Sequence, residues 1–439
     1  MAEGESAIVR TVEEKSQSCP ECGAAIRADG RFVVWCGACE WNVDPEGPER
    51  DRERERDRLD RARRALARRH GERLLTEVTA GGSLRARRDP ASLLAFVIAL
   101  AVHGATLGLA LGGVWWLVRG WGGAGMLLGL FLLAVAWSIR PRTARPPAAG
   151  PVLLREDAPE LYALVDEVAG VVGTRGVDQV VVDARVNASV LAHGVRGRRL
   201  LTLGLPLWEI LTPQQRVALL GHELAHYSNG DTRHGLVVST AYRSLTTWHY
   251  YFVPITRPSA VEMVTNLLYV VPRLLLQGML TLLDHLTLRA AQRAEYLADR
   301  GAARAASTEA AVGLMDRILV TESAEVTLRR EANRASLTGP HGARAAEGGA
   351  EEIWERLRAY MASIPEDEYE RQRRVGARRG HSVDATHPPT HLRRTCLLAG
   401  PSAPAAVVTG EDRERRIAAE LAGARATVAR RIVRDGFRA

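Results

Sequence analysis

The chain has 439 residues, 46% of them hydrophobic and 25% charged, enough for two or three domains around a substantial core. Its formal charge of +8 is nearly all arginine, with Lys15 the only lysine, so basicity alone does not argue for a nucleic-acid partner. Five cysteines are too few for a secreted scaffold stapled by disulfides, and the first 30 residues hold no apolar segment, so no secretory signal peptide is expected.

Four cysteines stand together near the N-terminus. Cys19 and Cys22 in "CPEC", then thirteen residues, then Cys36 and Cys39 in "CGAC" predict a zinc ribbon over residues 1–45. Its two knuckles would deliver four thiolates to one structural ion. Gly23 and Gly37 are expected to serve the tight knuckle turns, and "RFVVWC" reads as a strand. A closed four-thiolate site has no open position and so is not catalytic. So small a module has too little core to fold without its metal. Arg27, Arg31, Phe32, Trp35 and Trp41 are balanced by Glu21, Asp29, Glu40 and Asp44, which argues against a nucleic-acid ligand. The fifth cysteine, Cys396, reads as a small hydrophobe.

Residues 46–90 are expected to form a charged helical linker. Their alternating acids and arginines suit a solvated helix with i,i+4 pairs, serving as a spacer or touching anionic headgroups. Residues 91–140 then predict two transmembrane helices. The runs Ala91–Val118 and Trp121–Ile139 hold no charge, and Trp115, Trp116, Trp121 and Trp137 lie near their ends. Arg85, Arg87 and Arg88 precede the hairpin and Arg140, Arg142 and Arg145 follow it, with only Arg119 between. Both flanks are therefore expected on the cytoplasmic side of a plasma or inner membrane. That compartment is reducing, which favours metal ligation by the N-terminal thiols.

The next domain is expected over residues 150–325. Thr212-Pro213-Gln214-Gln215 reads as a helix start, with Thr as N-cap, Pro at the first position and Gln closing a capping box. This helix should run to about Ser228 and stop near Gly230. On it lies "HELAH": His222 and His226 are about 400° of rotation apart, so their imidazoles share a face and suit one zinc. Glu223 between them is placed to act as general base on a water at that ion. Two apolar stretches follow, Leu236–Ile255 and Val261–Leu286, interrupted by Arg243, His249, Glu262, Arg273, Asp284 and His285. They read either as a second membrane hairpin over 236–287 or as buried or membrane-apposed helices. The alanine-rich "RAAQRAEYLADRGAAR", Arg289–Arg304, offers Glu295 as third metal ligand. Asp299, one turn on, is placed to accept a hydrogen bond from His222. Residues 326–382 read as a polar insertion with a helix near Ile353–Ile364, either a lid or a solvated elaboration. Residues 383–439 complete the domain and end in an amphipathic tail, Glu411–Arg434.

"GHELAH" with "RAEYLADR" resembles the membrane-embedded M48 metallopeptidases, the bacterial HtpX-like proteases and the eukaryotic CAAX prenyl proteases, over roughly Pro151 to Leu398. The resemblance implies a mainly α (α+β) fold: a gluzincin-type metallopeptidase domain with a small edge-strand sheet, here behind a zinc ribbon and a transmembrane helical hairpin. "VVDARVNASVLAHG", Val181–Gly194, looks like the family's edge strand along the cleft, with Asn187 facing the scissile carbonyl. Ser189 stands where an aromatic is frequent. "THPPTHLRR" looks like the family's His-Pro-Pro element and brings His387 and Arg393 near the metal, to polarise the carbonyl or stabilise the oxyanion. "DTRHG" also matches the family's continuation. The ribbon and charged helix lie outside the minimal pattern.

The function expected from these residues is zinc-dependent endopeptidase action on membrane or membrane-associated proteins, with protein quality control implied by the bacterial branch of the resemblance. It needs one catalytic and one structural zinc, a polypeptide substrate and membrane lipid, and no nucleic acid. The alternative is a catalytically silent zinc-ribbon adaptor, which predicts a missing ligand or base.

Overall fold

The computed structural model describes residues 15–47, 58–80, 90–141, 150–194, 197–228, 232–337, 350–379 and 387–437. Arg85, Arg87, Arg88, Arg142, Arg145, Gly230, Asp231 and most of "GPHGARAAEGGAEE" lie outside the described residues.

The fold is mainly helical with two small sheets, in agreement with the α+β expectation. Strands β1 (Lys15–Ser18) and β2 (Ala25–Ala28) pair antiparallel, with Cys19 and Cys22 in the turn between them and Cys36 and Cys39 in the segment after β2. "RFVVWC" is not a strand. Its side chains are shared between the ribbon and the helices: Val34 and Cys36 pack with Cys19 and Ile26, Phe32 packs on the main core, and Trp35 is buried with Val43 and Val375.

Helix α1 (Arg58–Thr79) is only partly the solvated spacer expected. Leu74 is buried in a cluster with Tyr296 and Cys396, and Leu75 and Val78 pack beside it. One apolar stripe near its end is enough to dock an otherwise charged helix.

Helices α2 (Pro90–Arg119) and α3 (Ala124–Ser138) form a hairpin. Its turn is built on Gly120 and Gly125, where a Cβ on Gly120 would meet Gly125 Cα at 2.5 Å, and on Gly122 with φ +76°. The glycine-rich turn delays α3, which at 15 residues is about 22 Å long against a hydrocarbon core of about 30 Å. The second expected span is therefore shorter than its apolar run. Helices α7 (Thr232–Tyr251) and α8 (Ala260–Ala306) join this bundle through α2, with Ala99, Ala241, Leu245, Leu276 and Leu283 at the seam. Two of its helices, α2 and α8, are long and apolar enough to cross a membrane, and only 17% of each apolar window is buried. The second stretch, read from Val261 to Leu286, does not stop there: it continues without a break into the helix that carries Glu295.

Between the hairpin and α7 lies the four-stranded sheet, in the order β3-β4-β6-β5, with β3 (Val152–Leu153), β4 (Gln179–Asp183), β5 (Ala188–His193) and β6 (Arg198–Gly204). Strands β4 and β6 are parallel and the other pairs antiparallel, which leaves β5 on the edge. The segment Val181–Gly194 thus passes from an inner strand to the edge strand. The sheet packs on α4 (Pro159–Val172), α5 (Leu205–Ile210) and α6 (Pro213–Ser228).

The same core takes in α9 (Thr308–Leu319), α10 (Thr321–Leu337), α11 (Ala350–Ala362) and α14 (Glu411–Asp435). The stretch read as a polar insertion is therefore structural: Ile353, Trp354, Leu357 and Met361 of α11 are fully buried against Leu421 and Val428 of α14. Only the i, i+3, i+4 spacing of these few residues distinguishes α11 from a solvated helix. Helices α12 (Glu366–Arg379) and α13 (Thr390–Ala399) lie between α11 and α14 in the chain.

Candidate active site

Helix α6 begins as its sequence predicts. The Thr212 N–H donates to Gln215 Oε1 at 3.1 Å, and the Gln215 N–H donates back to Thr212 Oγ1 at 3.3 Å. Gln214 Nε2 donates to the carbonyls of Ala306 and Val407, tying this end of α6 to the end of α8. Further along, α6 and α8 cross on small residues. A Cβ on Gly301 would come 2.7 Å from Ala225 Cβ, and one on Gly221 would stand 3.0 Å from Ala302 Cα and from Ala305 Cβ. This close approach lets side chains of the two helices meet over one point.

Three of them do. His222 Nε2 lies 3.4 Å from His226 Nε2 and 3.5 Å from Glu295 Oε2, and His226 Nε2 lies 3.6 Å from Glu295 Oε1. The rings stand at 90° to each other. Ligands at about 2.05 Å from one tetrahedral ion would be about 3.3 Å apart, so the set fits a zinc-sized cation without rearrangement. Glu295 Oε2 is buried and has no hydrogen-bond partner among the described residues, which also suits a group awaiting a cation.

A further layer fixes these ligands. Asp299 Oδ1 stands 3.1 Å from His222 Nδ1, an acceptor that keeps a proton on Nδ1 and so makes Nε2, which faces His226 and Glu295, the nitrogen that would give up its proton to a metal. Arg393, 2% exposed, donates through Nε and Nη2 to both oxygens of Asp299 and stands 3.6 Å from Glu295 Oε2. His387 Nε2 lies 3.3 Å from Glu295 Oε2. Asn187 is exposed at the entry to β5. Its Oδ1 accepts from the Ala188 N–H at 2.9 Å, and its described contacts are with the sheet rather than the histidine pair.

The electrostatics separate the two histidines. Burial works against a charged His222, but the carboxylates of Asp299 and Glu295 outweigh it and push its pKa up to about 10. Burial pulls His226 down to about 4, helped by its neighbour His222. Burial also raises Glu223, whose carboxyl is pushed up to about 7 although it keeps partial access to solvent.

The N-terminal cysteines form a second group. Cys19 and Cys39 sulfurs are 3.6 Å apart, as are those of Cys22 and Cys36, and all four lie within 4.8 Å of one another. Four thiolates around one zinc at about 2.3 Å would be about 3.8 Å apart. Backbone N–H groups of Cys39 and Ala38 pull the Cys36 thiol down to about 7. In the first knuckle Gly23 takes φ +73°, as expected. In the second the left-handed residue is Glu40, at φ +61°, and not Gly37. Cys36-to-Glu40 repeats the Cys19-to-Gly23 spacing, and each fifth residue donates its N–H to the first cysteine's carbonyl at 2.9 Å.

Several contributors have roles that their sequence position does not disclose. Gly221, inside "GHELAH", and Gly301, just after "RAEYLADR", matter as small residues facing each other, and Tyr296, whose hydroxyl donates to Gly71 O at 3.2 Å, is silent until α1 is docked.

The sequence model of peptidase family M48 matches residues 156–399, more than half of the chain. No curated protein and no solved structure matches it.

Proposed function

The chain belongs to peptidase family M48, and from that premise we propose that it is a membrane-anchored, zinc-dependent endopeptidase acting on membrane or membrane-associated proteins. The observation that carries this reading is the convergence of His222, His226 and Glu295, whose donor atoms lie within 4.8 Å of one another. Zinc bound there would lower the pKa of a water towards 7 and polarise the scissile carbonyl. Glu223, partly open to solvent and with its carboxyl raised to about 7, is the base that takes the water's proton and later returns it to the leaving amine. Asp299 holds His222 in the tautomer that presents Nε2. His387 donates to the carbonyl oxygen as it becomes negative. Arg393 is assigned to positioning rather than to direct contact with that oxygen, because it is 2% exposed and forks onto Asp299 through Nε and Nη2 behind the ligands. A substrate laid along the free edge of β5 would pass Asn187.

Membrane anchoring is supported by the apolar, outward-facing helices α2 and α8. Leu282, the last exposed apolar residue of α8, is about 20 Å along the helix from Glu295, so the site lies close to the bilayer. The arginine flanks favour placing the site and the N-terminus on the cytoplasmic side. Quality control of membrane proteins suits that location. The four thiolates would hold a second, structural zinc.

The deciding experiment is casein hydrolysis by the detergent-solubilised protein, comparing wild type, Glu223→Gln and a chelated sample, with metal measured in each. Glu223→Gln is expected to lower turnover by about 10²–10⁴-fold while the metal stays bound. An inactive wild type that carries its full zinc complement would replace this reading with the adaptor.

A further inference from the structure

Residues 1–155 precede the range matched by the family, yet two parts of this extension grip the peptidase domain next to its centre. The first is the ribbon, which sits on α12. Arg374 donates to Gly37 O at 2.7 Å and stacks on the Trp35 ring, and Arg371 donates to Val43 O at 3.0 Å. Arg378 pairs with Glu40, and Arg379 with Asp44. These acceptors belong to the second knuckle or follow it directly. They are presented by the turn from Cys36 to Glu40, the turn through which Cys36 and Cys39 would hold an ion. From α12 the tie continues: Asp316 of α9 receives Arg373 of α12 at 3.0 Å and Arg394 of α13 at 3.2 Å. Arg394 is the neighbour of Arg393, which braces Asp299.

The second grip comes from α1. A Cβ on Gly71 would meet Leu392 at 3.2 Å and Pro389 at 3.6 Å, so this glycine lets α1 lie directly on the residues that follow His387. Leu74, on the same face, is buried with Tyr296 and Cys396. Tyr296 follows Glu295 in α8, and its hydroxyl donates to Gly71 O. Helix α13 is therefore contacted both by α12, which carries the ribbon, and by α1.

We propose that the N-terminal extension is a positioning element for the catalytic centre: ribbon and α1 together hold α13 so that His387 and Arg393 meet Glu295 and Asp299, and the ribbon's metal sets that grip. The proposal rests on the peptidase reading above. It differs from a free recruiting module in one respect: the groups at and after the second knuckle are already engaged by arginines of the same chain.

The test uses the full-length protein in detergent. Cys22→Ser with Cys39→Ser removes the ribbon's metal, and Asp44→Arg alone breaks one grip that the reversed pair Asp44→Arg with Arg379→Asp restores. In the cysteine variant zinc is expected to fall from about two to about one per chain. Its kcat should fall roughly 10- to 10²-fold with KM nearly unchanged, because a small misplacement of catalytic groups acts on the transition state. Amide hydrogens of α13 should exchange faster. Asp44→Arg should move kcat and exchange in the same direction, and the reversed pair should bring both back. Unchanged kcat and unchanged exchange in the cysteine variant overturn the proposal, and so does a rise in kcat, which would make the ribbon an inhibitory cover. Should the cysteine variant fail to fold, the charge reversal decides alone, and absence of rescue is fatal. Exchange in α13 is read whether or not casein is cut, so failure here and failure of the peptidase reading are told apart.

Discussion

Arg393 and Asp299 face each other as a paired fork, with Nε to Oδ2 at 2.9 Å and Nη2 to Oδ1 at 2.6 Å, both side chains 2% exposed. A buried pair of this kind is costly to break from one side only, because the remaining charge loses its two-pronged partner, and Asp299 would keep only His222. Arg393→Leu is expected to destabilise the protein by about 3–5 kcal/mol, read as a lower melting temperature. Asp299→Asn should act differently. The amide keeps the shape but can present its NH₂ to His222 Nδ1, which favours the wrong tautomer. Zinc affinity should then fall about 10–100-fold with a smaller loss of stability, measured by chelator competition. Equal effects of the two changes would show that Asp299 does not act through His222.

The crossing of α6 and α8 supplies a second prediction. Gly301 has no room for a methyl group, since its Cβ would lie 2.7 Å from Ala225 Cβ. Gly301→Ala should push the helices apart at a cost of about 1–3 kcal/mol, as overpacking does elsewhere. His222 and Glu295 sit on opposite sides of this crossing. The stabilisation that added zinc gives to the melting temperature should therefore shrink as well. A variant that melts lower but keeps the full zinc-induced rise would separate the packing from the site.

These two contacts mark the limit of what the chain discloses before it folds. The helical period places His222 beside His226 and Glu295 beside Asp299, and capping chemistry locates the start of α6 at Thr212, because these depend on neighbours within a turn or two. Arg393 is legible as a residue near the metal, but not its full commitment to Asp299, since that is decided by an approach across 94 positions. Long-range packing hid the rest. Leu74 looks like an interruption in a charged helix, and Trp354 like an aromatic in a polar insertion, until the surfaces that bury them are assembled. "RFVVWC" has strand composition, but Phe32 and Trp35 are drawn onto the helical domain while Val34 and Cys36 stay in the ribbon. Gly37 looked like the turn residue of the second knuckle, while the conformation fell to Glu40, four positions after the first cysteine.

Glu40 can be tested on that point. A left-handed backbone costs a residue with a Cβ about 1–2 kcal/mol, which glycine avoids. Glu40→Gly loses its exposed pairings with Arg374 and Arg378 but relieves the backbone, so the ribbon's zinc affinity should stay near that of wild type. Glu40→Val loses the pairings and keeps the strain. Its affinity should be roughly tenfold weaker than that of Glu40→Gly, a difference of about 1.4 kcal/mol measured by competition with a chromogenic chelator. Equal affinities would mean that the carboxylate, not the φ angle, matters there.

The outer face of α8 gives the last prediction. Leu268, Val271 and Leu275 are 69%, 64% and 65% exposed, and Leu267 is 71% exposed, along a helix whose seam residues Leu276 and Leu283 are buried against α2 and α7. In water such a face would be a standing liability of contiguous apolar surface. In a bilayer it is the ordinary solvent-facing side of a span. The two cases respond oppositely to charge. Leu268→Arg in a span costs about 2.5–3.5 kcal/mol of insertion free energy, so a smaller fraction of the protein should survive alkaline carbonate washing of membranes. On a water-exposed helix the same change would relieve apolar surface and improve solubility. We expect wild type to stay in the washed membrane pellet and the arginine variant to be partly lost from it. A wild-type chain released by the wash, with the variant merely more soluble, would place α8 against a protein partner instead of lipid.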